Sequence, residues 1–155
     1  MKVQDVMTTD ISYCEPVTNA AAAAEMMWNQ NCGVLPVVED GRRVVGIVTD
    51  RDLFLALGTG NCTPSSLSVG EIMNRDVVTG SPDDNVRTAL KTMTDGGFQR
   101  LPIANERGEL EGILSLRDVT LQGGNSFSKE ELLTTLQAIS RRHGTGAHGK
   151  RRLAT

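Results

Sequence analysis

Twice in this chain a hydroxyl side chain stands three residues ahead of an aspartate, with an arginine directly before that aspartate. The stretches are Thr49-Asp50-Arg51-Asp52 and Ser115-Leu116-Arg117-Asp118. If each opens a helix, the free N–H groups of the first turn and the positive end of the dipole attract phosphate. The hydroxyl adds a donor, and the arginine can make charge-assisted bonds to phosphate. The aspartate would repel a phosphate placed beside it, yet it can accept two hydrogen bonds from a ribose diol, as acids do in dinucleotide folds. Together the three describe phosphate–ribose recognition rather than hydrolysis. The same spacing also makes a capping box, worth about 1 kcal/mol to a helix with no ligand at all. A cap does not require the arginine, and its repetition favours recognition.

The two stretches are parts of a longer echo. "GIVTDRDL" at Gly46 and "GILSLRDV" at Gly112 lie 66 positions apart, and the same offset pairs Met7 with Met73, Pro16 with Pro82, Asn19 with Asn85 and Leu35-Pro36 with Leu101-Pro102. One register held without a gap is the mark of duplication. Each copy reads as β-α-β-β-α. An extended piece ends at Pro16 or Pro82. The helix "TNAAAAAEMMWNQ" follows, capped by Thr18 or Asn19, and its twin starts at Asp83-Asp84 and stops at Gly96-Gly97. Two β-rich runs then flank the turns "EDGR" and "NERG" as hairpins, and a second, shorter helix starts at Asp50 or Leu116. The expected class is α/β (α+β). The boundaries are residues 1–58 and 69–122 for the copies, 59–68 for a linker, 123–143 for a helical extension and 144–155 for a basic, disordered tail.

The totals narrow the function. Of 155 residues, 39% are hydrophobic, 23% charged and only 3% aromatic, which argues against a base-stacking surface for single-stranded nucleic acid. The net charge of −3 conceals a basic end: Arg141, Arg142, Lys150, Arg151 and Arg152 leave residues 1–140 at −8. An anionic ligand must therefore be held by local cations. Cys14, Cys32 and Cys62 form no C-x-x-C and suggest a reducing compartment. No run suits a signal peptide or a membrane span, so the expected location is cytoplasmic.

With these features in order, twice and in register, residues 1–122 resemble a tandem pair of CBS domains, a Bateman module. The resemblance rests on Asp5-Val6-Met7-Thr8, Val34-Leu35-Pro36-Val37-Val38, the "DGRRVVGIVTDRDL" run and their second-copy equivalents. It implies two repeats packed about a pseudo-twofold axis, with two clefts for AMP, ADP or ATP and, ranked behind them, S-adenosylmethionine. It assigns Ile47, Thr49 and Asp52 to the first cleft, Val77 and Val78 to the base, and Arg100, Pro102 and Arg117 to the phosphate side. To the second it assigns Ile113, Ser115 and Asp118, faced by Ile11, Ser12, Val34, Pro36 and Arg51. Copy two has Gln99-Arg100 before its Leu-Pro pair where copy one has Gly33-Val34, so the second cleft is expected to be the weaker.

No nucleophile–base pair, metal cluster or Walker loop is visible, and no catalysis and no cofactor are expected. The expected partners are the nucleotide, a second copy of the chain and an unidentified regulated protein, with no membrane. Two rivals are a dimerisation module with empty clefts and a nucleic-acid binder working through the basic tail. His143 and His148 read as solvated, Cys32 as inert, and Met26, Met27 and Met93 as packing residues. Trp28 reads as core or dimer contact. Beyond the repeats, Ser128 with Glu131 caps a helix whose stripe is Leu132, Leu133, Leu136 and Ile139.

Overall fold

The structure is a computed structural model that describes residues 1–144; the basic tail and His148 lie outside the described residues. Its main elements are α1 (Ala20–Asn29), β1 (Val34–Glu39), β2 (Arg43–Thr49), α2 (Asp50–Thr59), α3 (Val69–Ile72), α4 (Val86–Gly96), β3 (Arg100–Ala104), β4 (Leu110–Ser115), α5 (Leu116–Gln122) and α6 (Lys129–Gly144). The mixed α/β class and the hairpins are as the sequence implies: β1 pairs antiparallel with β2, and β3 neighbours β4.

Local chemistry sets the boundaries. Asn19, not Thr18, caps α1 by accepting from the Ala22 N–H at 2.8 Å. Its equivalent Asn85 caps α4 by accepting from the Arg87 N–H at 2.9 Å, so α4 starts after Asp83-Asp84 rather than on them. An Asn side chain reaches the first-turn donors well enough to decide the point. Gly97, at φ 71°, ends α4 in the left-handed conformation that glycine adopts without a Cβ penalty. The β1–β2 turn holds Asp40, Gly41 and Arg42 all at positive φ. In the first copy the second helix is not the shorter one, since α1 and α2 both have 10 residues.

The strand expected before each proline is reduced to a single parallel bridge. Cys14 N–H donates to the Pro36 carbonyl at 3.0 Å, and Val38 N–H donates back to Cys14 at 2.9 Å. Gly80, 66 positions on, repeats this with Pro102 and Ala104, both at 2.9 Å. The prolines that close these segments have no N–H with which to extend a ladder.

The compact units are not the two halves of the sequence. One contains residues 1–8, 82–101 and 113 onward; the other contains residues 9–81 and 102–112. In the first, Val3 N–H donates to Asp84 O at 2.9 Å and Val86 N–H to Met1 O at 3.2 Å, so the chain's start caps the helix of copy two. In the other, Val69 N–H donates to Thr18 O at 2.8 Å and Ala20 N–H to Leu67 O at 2.7 Å, the same bonds displaced by 66. Each unit is thus built from the lead-in of one copy and the helix of the other. Residues of the linker take part: Ala21 N–H donates to Pro64 O at 3.2 Å.

Burial follows this division. Ala20, Ala23, Met27, Leu35, Val37, Val48, Leu53, Val69 and Ile72 form one apolar cluster, with Met26 half-buried against it. In the other unit Val3, Val86, Met93, Leu114, Val119 and Ile139 are buried, the last on α6, which packs on α4. Burial of a side chain of this size contributes about 1.5–3 kcal/mol. Trp28 departs from the core alternative. It is 85% exposed, because Ala23 and Met27 take the inward face of α1 and leave its indole outside.

Candidate nucleotide site

Both strand-to-helix corners adopt one geometry. Thr49 at φ −115°, ψ 161° and Ser115 at φ −115°, ψ 157° are the N-caps of α2 and α5. Asp52 N–H donates to Thr49 Oγ1 at 3.1 Å and Thr49 N–H donates to Asp52 Oδ2 at 3.0 Å. Asp118 N–H donates to Ser115 Oγ at 3.1 Å, Ser115 N–H donates to Asp118 Oδ2 at 2.8 Å, and the Ser115 hydroxyl donates to the same oxygen at 2.6 Å. The capping box is therefore formed in both copies, and each aspartate is oriented before any ligand arrives.

A backbone segment runs beside each corner. Ile47 N–H donates to Asn74 O at 2.9 Å, and Asn74 N–H donates back to Ile47 O at 2.8 Å. Ile113 and Thr8 make the equivalent pair, both bonds at 2.9 Å. Glycine makes this approach possible at Gly46, where a Cβ would lie 2.8 Å from Met73 Sδ and 3.0 Å from Asn74 O. The side chains then diverge. Asn74 Oδ1 accepts from the Asp76 N–H at 3.2 Å, whereas Thr8 Oγ1 donates to Asp118 Oδ1 at 3.2 Å. Asn74 is not among the residues singled out by sequence, and Thr8 enters there only as the end of the Asp5–Thr8 motif, with no site role. Their shared offset of 66, directly after Met73 and Met7, was the available signal.

Ile47, Thr49, Arg51, Asp52, Val77, Val78 and Pro102 fall in one compact unit, together with Ile11, Ser12, Val34 and Pro36. Arg100, Ile113, Ser115, Arg117 and Asp118 fall in the other. Ile47, Thr49, Asp52 and Val77 are half-buried, as are Ile11, Ser12, Ile113, Ser115 and Asp118. Arg51, Arg100, Arg117 and Val78 are exposed, and Pro36 and Pro102 are buried. Val34 is buried, whereas its equivalent Arg100 is exposed, so the two positions differ in environment as well as charge.

Elsewhere, a cavity of about 480 Å³ is lined by Ala24, Met27, Trp28, Cys32, Gly33 and Asp50. Another of about 440 Å³ lies between α4 and α6, beside Arg87, Lys91, Phe127 and Glu131. Burial pushes the Cys14 thiol up to about 11, with Glu15 adding to the effect. Among the described residues no cluster of three or more His, Cys, Asp or Glu could hold a metal, and no helix is long and apolar enough to cross a membrane.

The family model for the CBS domain matches residues 3–59 and 69–122, one match on each copy. The chain belongs to the CBS-domain family. It is 38% identical over 121 residues to the uncharacterized protein YlbB of Bacillus subtilis, covering 77% of this chain and 80% of that one. It is 35% identical over 141 residues to the CBS domain-containing protein YhcV of the same organism, covering 89% and 94%. Among solved structures it is similar to the CBS-pair protein CBSX2 of Arabidopsis thaliana in complex with AMP. That likeness has 26% identity and a TM-score of 0.68, and spans 79% of this chain and 95% of that one. The CBS repeats carry both hydroxyl–Arg–Asp corners, whereas α6 lies beyond the matched residues.

Proposed function

We propose that this CBS pair is a non-catalytic sensor of adenosine nucleotides, AMP, ADP or ATP, that acts in the cytoplasm. The observation that carries the reading is the corner itself: a hydroxyl-capped helix start with a pre-oriented aspartate, beside a backbone-paired segment, made in both copies. The AMP complex of CBSX2, a pair of the same family, supports the choice of ligand class. In this reading Asp52 takes the ribose diol, Thr49 and the α2 N-terminus face the phosphate side, and Val77 and Val78 flank the base. The corner carrying Asp52 is the tighter of the two.

Binding becomes signalling only if the ligand prefers one arrangement of the protein over another. A regulated partner then reads that arrangement. The chain works as a homodimer, for which the Ala-rich α1 allows close approach of a second helix. Calorimetric titration of the whole chain with AMP, ADP, ATP and S-adenosylmethionine tests the proposal, with GMP as control. Saturable heat is expected for at least one adenosine nucleotide and none for GMP. Silence across the adenosine panel refutes it.

A further inference from the structure

Asp118 is held from two sides. Its Oδ2 accepts from the Ser115 N–H at 2.8 Å and from the Ser115 hydroxyl at 2.6 Å, and its Oδ1 accepts from the Thr8 hydroxyl at 3.2 Å. Ser115 lies within the same box, but Thr8 reaches in from the chain's start, 110 positions away, and its backbone is fixed by the paired bonds to Ile113. A ribose diol recognised by Asp118 needs the carboxylate as acceptor. The oxygen outside the capping box is the one the Thr8 hydroxyl occupies.

We propose that Thr8 is a latch that competes with ribose for Asp118 and so weakens nucleotide binding at the Ser115 corner. This rests on the adenosine reading above and deepens it, because it names the bond that a ribose must displace at the Ser115 corner. The latch is an exposed bond to a charged group, so its competition is modest, and a ligand with enough other contacts displaces it. The position invites such a role: copy two has Asn74 there, and the carbonyl of that side chain is turned to the Asp76 N–H. The repeat therefore tolerates a different side chain at this point without losing the backbone pair beside it.

The test uses the full chain in an Asp52→Ala background, which leaves the Ser115 corner as the main reporter, titrated with AMP by calorimetry. Adding Thr8→Val removes the hydroxyl and keeps the shape, and should tighten binding about three- to tenfold, the range of a modest hydrogen bond. Thr8→Ala should tighten it similarly, and Thr8→Ser, which keeps the donor, should leave it unchanged. Melting curves without ligand establish that each variant is folded. Unchanged or weaker binding in both Thr8→Val and Thr8→Ala overturns the latch, weaker binding meaning that the hydroxyl serves the ligand instead. If wild type binds AMP and the latch variants show no gain, the latch alone fails. If wild type also gives no heat, the adenosine reading and the latch fail together.

Discussion

Helices α1 and α4 hold equivalent places in the two copies, yet their outer faces differ. On α4, Arg87 donates to the Ser126 carbonyl at 2.7 Å, pairs with Glu131 and lies over the Phe127 ring at 4.9 Å from its centroid. These contacts tie down the start of α6, whose Ser128–Glu131 cap is formed, and Glu131 is held below the usual carboxylate range by the Ser128 backbone N–H and by Arg87. On α1 the positions equivalent to Arg87, Lys91 and Thr94 are Ala21, Glu25 and Trp28. One helix is covered by an appended element; the other presents small residues and an open indole. Duplication fixed the frame of both copies, and divergence on the surface gave each a different neighbour to accept.

The strongest way to break this comparison is to remove the anchor of the appended helix. Ile139 is fully buried on α6. Ile139→Ala should lower unfolding stability by about 3 kcal/mol, read from the urea midpoint, because it deletes buried methylenes and leaves a cavity. A loss below about 0.5 kcal/mol would mean that α6 is not part of the cooperative fold.

The two single-bridge segments make the next contrast. Cys14 and Gly80 occupy equivalent places, but only Cys14 titrates. Its folded-state value is raised from 9.0 to about 11, so above pH 9 the unfolded chain loses a thiol proton that the folded chain keeps. Stability present below pH 9 is therefore lost as pH climbs toward 11, by about 3 kcal/mol at most. Cys14→Ala should flatten that part of the profile, and an unaltered slope would remove Cys14 as its source. In the native protein Cys14 should resist alkylation at pH 8, while exposed Cys62 reacts.

At the corners, Asp52→Ala should weaken adenosine nucleotide binding by about 2 kcal/mol, or roughly thirtyfold, through lost charge-assisted bonds. Because Asp52 belongs to a capping box, ligand-free melting of the variant separates the cap from the ribose role. Two equal sites in wild type would dissolve the ordering.

Much of this was legible in the sequence because a gapless repeat constrains every position twice. The caps at Thr49 and Ser115, the hairpins and the helix stop at Gly97 follow from side-chain chemistry within a few residues. The exchange of lead-in segments was not legible, since bonds such as Val3 to Asp84 join residues far apart and leave no local pattern. The extended pieces before Pro16 and Pro82 read as strands, but each makes a single bridge, at Cys14 and at Gly80, and the proline that follows has no N–H to extend a ladder. Thr8 was legible as part of a motif but not as a partner of Asp118, because the two lie 110 positions apart.

The smallest intramolecular effect belongs to Trp28, and it separates the two helices most clearly. Its side chain is 85% exposed, so within one chain Trp28→Ala deletes little packing and should change stability by no more than about 0.5 kcal/mol under monomeric conditions. If the bare face of α1 is where a second copy sits, the same substitution removes a large aromatic anchor from an interface. Such anchors are worth about 2 kcal/mol or more when desolvated. Light scattering across a concentration series should then show wild type heavier than the 16.7 kDa chain and Trp28→Ala shifted toward it. The control is Thr94→Ala on α4, the equivalent position beside α6, which should leave the association unchanged. A wild type that remains monomeric at micromolar concentration, or a Trp28→Ala variant that associates as wild type does, would show that the open face of α1 is not the contact between copies.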